Sequence, residues 1–271
     1  MIAQLVDQTR QMRVKRLRSA GPFLLLLFLA LLFSNAVSAG CPSLHTGDLL
    51  QVAEVFDGDT LLLLDGRRIR LIGINTPETG WEEKPDEPHA RAAKRRLERL
   101  VSGTGNWIRL EKGQQQRDRY RRLLAHIYSQ DGENLIEVLL QDGAGFQIVF
   151  PPNLDHLQCY RAAESRARAV GRGVWADAPV IEAAGLARSV EGFRLLRGRI
   201  ESVEKSRRSL WLKLAGVKLR IDRSDLDHFT DWQPQSLLGQ RVEVRGWIRF
   251  YKGSQRIRIR HPSAIRKLDA K

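Results

Sequence analysis

The stretch Leu61-Leu62-Leu63-Leu64-Asp65-Gly66-Arg67-Arg68-Ile69-Arg70-Leu71-Ile72-Gly73-Ile74-Asn75-Thr76-Pro77-Glu78 decides how this chain is read. Apolar β-forming runs flank Asp65-Gly66, a strong hairpin signal, and residues 52–56 read as the strand before them. A two-residue turn pairs Leu64 with Arg67 and Leu61 with Arg70. A three-residue loop ending on Gly66 pairs Thr60 with Arg70 instead. Both registers are open, and a slip of one residue exchanges the faces. Either one brings Arg70 within about two ladder positions of Asp59. Pro77 ends the strand and keeps the chain before it extended, which leaves Glu78 at the start of a loop.

Just upstream stands Asp57-Gly58-Asp59-Thr60, and downstream Arg117-Asp118-Arg119-Tyr120-Arg121-Arg122-Leu123-Leu124-Ala125. Carboxylate and carbonyl oxygens suit a hard divalent cation. Guanidinium grips a phosphate in a planar two-point fashion that lysine cannot copy. Taken singly, each stretch reads as a turn or a solvated face. Together they bring carboxylates, two arginines and a free glutamate onto adjacent strand ends, which is the set that phosphodiester cleavage requires.

From about residue 47 to residue 175 the chain resembles the staphylococcal nuclease-like (thermonuclease) family. The resemblance rests on Asp57-Gly58-Asp59-Thr60, then residues 70–78, then residues 118–125, in that order. Asn134 ahead of a helix, Phe150-Pro151-Pro152-Asn153, a long helix and Gly171-Arg172-Gly173-Val174-Trp175 follow. It implies a small OB-type barrel of five strands with three helices, and cleavage of DNA and RNA with Ca2+ to leave 3′-phosphate ends. By position it implies Asp59 as a metal ligand, Asp57 as a nearby outer carboxylate, and Thr76 as a carbonyl ligand. Arg70 and Arg122 would bind the scissile phosphate, and Glu78 would act as general base. Two departures stand out. Asn75 occupies a position where the family pattern has aspartate as a second metal ligand, which removes one negative charge and weakens cation binding. Arg121 stands where glycine is common.

Residues 1–39 read as an export signal: five basic residues against Asp7, the apolar run 22–33, then Val37-Ser38-Ala39. The run is short for a membrane span, which needs about 20 residues. The expected location is periplasmic or secreted, with an uncleaved anchor facing outward as the alternative. Membrane contact is expected only with that anchor or with a lipid on Cys41. Cys41 and Cys159 are the only cysteines. A disulfide between them suits an oxidising compartment, and two separate thiols are the alternative. Without Cys-x-x-Cys or His-Glu-x-x-His spacing, the sequence argues against zinc.

Charge is unevenly distributed. The chain carries a net +14, but residues 40–189 hold 20 basic and 21 acidic side chains, whereas residues 190–271 hold 20 and 9. Helices are expected over 89–102 (Ala92, Ala93, Leu97, Leu100 and Val101 inward), after Asn134, and over 155–170. Strands are expected over 107–111 and 123–128, with Trp175 and His126 read as core. The fold class is mainly β with helices (α+β), in four segments: the leader 1–39, the nuclease-like domain 40–176, a weakly helical linker 177–192, and a basic domain 193–271. In the last, strands at 195–203, 210–214, 217–221, 241–251 and 255–260, with a short helix over 225–232, suggest a second OB-like barrel. Arg256, Arg258 and Arg260 share one strand face by period two, with Trp247 and Tyr251 near them in the β pattern. That combination of charge and aromatic rings suits single-stranded nucleic acid.

The functional expectation is an exported, Ca2+-dependent nuclease acting on single-stranded or denatured DNA and RNA, whose basic barrel tethers substrate. No protein partner is implied. The alternative is a non-catalytic nucleic-acid-binding protein on the same fold, for which Asn75 speaks.

Overall fold

The computed structural model describes residues 40–268 except 178 and 231. The leader expected over 1–39 lies outside the described residues.

The first barrel contains β1 (Leu49–Val55), β2 (Thr60–Leu63), β3 (Arg68–Leu71), β5 (Trp107–Arg117) and β6 (Leu123–Tyr128). They close in the order β1-β2-β3-β6-β5, with β3 and β6 parallel. The hairpin takes the three-residue loop: Thr60 pairs with Arg70 and Leu61 with Ile69, and Gly66 adopts φ +85°. Leu61, Leu63, Ile69, Leu71, Ile108 and Ile127 fill the interior. Against it pack α1 (Ala90–Gly103), α2 (Leu135–Gln141) and α3 (Leu157–Ala169). Helix α1 turns Ala93, Leu97 and Val101 inward; Ala92, expected inside, is exposed because it falls off that stripe. The Asn134 side chain caps α2 by accepting from the amides of Ile136 and Glu137 at 3.1 and 3.0 Å. A two-stranded piece outside the barrel joins β4 (Ile74–Asn75) to β7 (Phe146–Gln147), with Asn75 opposite Phe146.

The second barrel repeats the scheme. Its strands are β9 (Gly192–Lys205), β10 (Ser209–Leu214), β11 (Val217–Asp222), β12 (Arg241–Tyr251) and β13 (Ser254–Arg258). Pairing of β12 with β9 closes the ring in the order β9-β10-β11-β13-β12, again with a parallel pair, β11 and β13. The first, second, third, fifth and fourth strands therefore neighbour one another in both barrels. Between the third and fourth strands, where a short helix was expected over 225–232, there is a 3-10 segment over Arg223–His228. The expected weakly helical linker over 177–192 holds no helix among its described residues; it contains β8 (Val180–Glu182), which pairs in parallel with β9, followed by turns. On the opposite flank β14 (Ile265–Lys267) pairs with β12.

The barrels meet through a small aromatic core and buried ion pairs. Phe146, Ala167, Val174, Trp175 and Leu195 form one buried cluster. Two guanidinium nitrogens of Arg168 donate to Glu243 at 2.6 Å each, and Arg266 adds a third bond at 2.9 Å. Burial alone would raise the Glu243 pKa, but these arginines hold the carboxyl at about 2. Arg245 donates to Glu164 at 2.8 Å and to the carbonyl of Gln147 at 2.7 Å, while the Gln147 amide donates to Glu164 at 2.8 Å.

Cys41 and Cys159 form a disulfide with Cα atoms 5.2 Å apart, tying the start of the described chain to α3. The bridge closes a loop of 118 residues. Reduction or Cys159→Ser is expected to lower the free energy of urea unfolding by about 2–5 kcal/mol. Equal stability with and without dithiothreitol would refute this.

Candidate nuclease site

The site is assembled from strand ends on one side of the first barrel. The turn Asp57-Gly58-Asp59 leads into β2, and Gly58 is required there by close approach. A Cβ at residue 58 would sit 2.7 Å from both the Ala93 Cβ and the Thr76 Cγ2. The Asp59 amide donates to Asp57 Oδ1 at 2.8 Å, fixing the turn. Asp59 itself is only 2 % exposed. Its Oδ2 accepts from the Thr76 amide at 2.8 Å and pairs with Arg70 Nη2 at 3.0 Å, and its Oδ1 accepts from Thr60 Oγ1 at 3.1 Å.

Arg70 projects from the end of β3 and is held at several points. Its Nη1 donates to the carbonyls of Leu71 and Ile74 at 2.7 and 2.8 Å, and its Nη2 to Asn75 Oδ1 at 3.2 Å. The Asn75 amide nitrogen faces the Thr76 carbonyl at 3.5 Å. Arg122 arrives from the turn before β6. Asp118 Oδ2 accepts from its Nε and Oδ1 from its backbone amide, at 2.8 and 2.9 Å. Arg122 Nη1 then reaches Thr60 Oγ1 at 3.4 Å. Arg121, beside it, lies at φ +68°, the left-handed region that glycine occupies freely. That is the physical reason glycine suits this position.

Glu78 stands at the solvent-facing rim. Partial burial, followed by the charge of Asp59, raises its pKa; Arg70 and Arg122 pull the other way. The sequence-derived residues Asp57, Asp59, Arg70, Asn75, Thr76, Glu78 and Arg122 thus fall into one electrostatic neighbourhood. Two residues whose roles were not read from the sequence complete it. Thr60 bridges Arg122 to Asp59, and Asp118 orients Arg122. Both lie inside the quoted motifs, but nothing in residue type alone distinguishes them from turn formers.

Among the described residues no group of three or more His, Cys, Asp or Glu side chains is arranged to hold a metal ion. The donors available here are the carboxylates of Asp59 and Asp57, the Asn75 amide oxygen and the Thr76 carbonyl, all hard oxygens. Burial and then the Asp59 charge push the Asp57 carboxyl up to about 7. That is the signature of negative charge lacking full compensation, and the set therefore fits a hard divalent cation.

The elevated Asp57 pKa has a stability consequence. An acid whose folded-state value exceeds its ordinary value of 3.8 carries no penalty below that pH and its full penalty above about 7. Asp57→Asn keeps an oxygen to accept from Asp59. In EDTA it is expected to stabilise the fold by roughly 2 kcal/mol at about pH 8 and hardly at all near pH 4. Urea titrations at the two pH values check this; an equal effect at both would contradict it.

The residues named for the second barrel divide between two places. Arg256 lies between the rings of Trp211 and Tyr251, at 5.3 and 4.7 Å from their centroids. Arg258 pairs with Asp222 and Asp225 at 3.0 and 2.8 Å. Trp247 and Arg260 instead stand at the junction beside Phe150 of the first barrel.

Comparison with known proteins agrees with this geometry. Residues 68–177 match the staphylococcal nuclease homologue family. The chain is 30 % identical over 130 residues to the thermonuclease of Staphylococcus hyicus, covering 47 % of this chain and 75 % of that protein. It is 32 % identical over 123 residues to endonuclease YncB of Bacillus subtilis, covering 44 % and 57 %. An uncharacterized endonuclease of Escherichia coli O157:H7 is 33 % identical over 144 residues, covering 51 % and 81 %. With its barrel topology, its motif order and these relatives, the chain belongs to the staphylococcal nuclease homologue family.

Proposed function

We propose that this protein is an exported nuclease that hydrolyses phosphodiester bonds of DNA and RNA with Ca2+ and leaves 3′-phosphate ends. The observation that carries the reading is the bonded chain Arg122–Thr60–Asp59–Arg70, which aims two fixed guanidinium groups at one place with Glu78 beside it.

A phosphodiester is anionic and weakly electrophilic, so catalysis requires charge neutralisation and a positioned water. Glu78 accepts a proton from the attacking water as oxygen adds to phosphorus. The bond to the 5′ oxygen breaks, that oxygen takes up a proton, and the phosphate stays on the 3′ side. Arg70 and Arg122 neutralise charge growing on the non-bridging oxygens and, being already bonded in place, need little reorganisation. Asp59, Asp57, Asn75 and Thr76 would hold the cation, which when bound polarises the phosphate and its attacking water.

Export is supported by the Cys41–Cys159 disulfide, since such bridges persist in oxidising compartments. A tethering role for the second barrel is supported by its net +11 and by the Trp211–Arg256–Tyr251 stack. A second reading, a binder that does not cut, is favoured by one observation. Asn75 stands at the expected metal position, and its side chain is engaged with Arg70.

The full-length protein incubated with denatured DNA over a calcium titration tests these readings. Cleavage should appear with calcium, stop with EDTA and fall about 10²- to 10⁴-fold in Glu78→Ala. Asn75→Asp should shift half-activation to lower calcium because it adds a ligand charge. Binding without cleavage at every calcium concentration would leave only the second reading.

A further inference from the structure

We propose that the two barrels share one track for single-stranded nucleic acid, in which the arginines of β13 and Arg260 just beyond it lead the strand across the junction to Phe150, a base-stacking platform near the candidate site. This rests on the nuclease reading and adds the path of its substrate.

The track begins at Arg256, whose guanidinium sits between Trp211 and Tyr251. Ile257 and Ile259 are fully buried, so Arg256, Arg258 and Arg260 point to the opposite, outer face, at intervals of about 6.6 Å. The last of them crosses the domain boundary: the Arg260 guanidinium lies 5.5 Å from the centroid of Phe150. Arg258 is neutralised by Asp222 and Asp225, but among the described residues Arg260 makes no hydrogen bond or ion pair. Arg258 crowds this partly desolvated guanidinium with like charge, Asp225 and Asp222 offset that only from a distance, and a guanidinium with no bonded anion calls for one.

Phe150 has an unusual environment for a large apolar side chain. It is 42 % exposed, yet it is backed by Trp247 at 5.4 Å with ring planes 31° apart, and Trp247 is backed by Phe193 at 4.9 Å. A supported ring with a guanidinium already lying over it, lining a cleft with Arg245, Arg258 and Arg260, offers a nucleobase an aromatic and guanidinium surface to stack against. The turn that presents it is fixed by Asn153, whose side chain accepts from the Gln115 amide at 2.8 Å and donates to the Gln115 carbonyl at 3.1 Å.

The platform is also continuous with the site. Phe146 pairs with Asn75, and Phe150 follows four residues later along the same segment, no more than about 14 Å away even if fully extended. Arg245, from the second barrel, anchors that segment through the Gln147 carbonyl. The second barrel therefore both supplies the track and holds the first barrel's part of it.

The test uses full-length protein in EDTA, so that binding is read without cleavage. Fluorescence anisotropy gives Kd for labelled oligodeoxythymidylates from the dinucleotide up to about 16 nucleotides, the upper site size of an OB barrel. Affinity should rise with length in the wild type. Arg260→Ala and Trp247→Ala should each weaken the longer strands by about 5- to 150-fold, the equivalent of one stacked base. A single abasic position scanned along the strand should cost the wild type a similar factor at one register and cost Phe150→Ala nothing there. Arg260→Ala removes no hydrogen bond or ion pair among the described residues, so it keeps the test valid should the Trp247 variant fail to fold. Wild-type affinities in the variants, a flat abasic scan, or equal affinity for duplex DNA would overturn the track. If a protein with wild-type-like variants still cuts denatured DNA, the track fails alone. If length-dependent binding occurs without any cleavage, the nuclease reading fails alone.

Discussion

The buried carboxylate of Asp59 is the constraint around which the first barrel's working face is arranged. An ionised group with almost no solvent contact must be bonded at both oxygens or lose its charge. Asp59 is satisfied by the Thr76 amide, the Thr60 hydroxyl and Arg70, which come from three different segments. Satisfying one anion thus fixes the end of β2, the end of β3 and the start of the loop bearing Glu78. Gly58 makes this geometry attainable, because any side chain there would collide with α1 and with Thr76. Arg122 joins the set indirectly through Thr60, and its own angle is fixed by Asp118.

The same topology carries a different charge distribution in the second barrel. The first barrel commits its strand ends to a charged cluster and is nearly neutral as a whole. The second packs its interior around a large apolar cluster and carries the excess of arginine and lysine. The division suits the polyanionic substrate of the proposed function: long-range attraction would be supplied away from the carboxylates, whose acidity a dense positive field would otherwise disturb. The two halves are joined by buried ion pairs rather than by a free linker. Each Glu–Arg pair at the junction has additional hydrogen bonds, the condition under which burying charge is tolerable. β8, lying in the connecting segment, adds a strand to β9 and leaves little slack.

Much of this was legible in the sequence because the informative features were local. The alternation of apolar residues and the Asp65-Gly66 turn announce the hairpin, and Asn134 announces the start of a helix. Motif order brings out the site. What was not legible depended on registry and partners. Both turn lengths fitted the hairpin signal, and only the full barrel selects the pairing of Thr60 with Arg70. The arginines 256, 258 and 260 do share a face, as period two requires, but their partners come from β10, β11, β12 and the first barrel. No reading of a single strand could separate the one near Tyr251 from the one over Phe150. The segment 177–192 looked weakly helical because Ala-rich composition favours helix, whereas in the fold β9 offers it an unpaired edge.

Asn75 shows how a departure from a family pattern can be accommodated within the same geometry. Its amide does what a carboxylate would do toward Arg70, accepting a bond through Oδ1, and also turns its donor toward the Thr76 carbonyl. An aspartate there would set a third anion close to Asp59 and Asp57, where burial and repulsion already lift the Asp57 pKa to about 7. Without a cation that third charge would worsen the repulsion; with one bound it would add to affinity. The asparagine therefore leaves the metal-free site less strained electrostatically, and under the proposed function it would hold a cation less tightly. The orientation of Arg70 survives the exchange, because the Leu71 and Ile74 carbonyls and Asp59 hold the guanidinium whatever occupies position 75. In the proposed function, phosphate recognition and metal affinity would thus be set by separate contacts, so that the second could change while the first is kept.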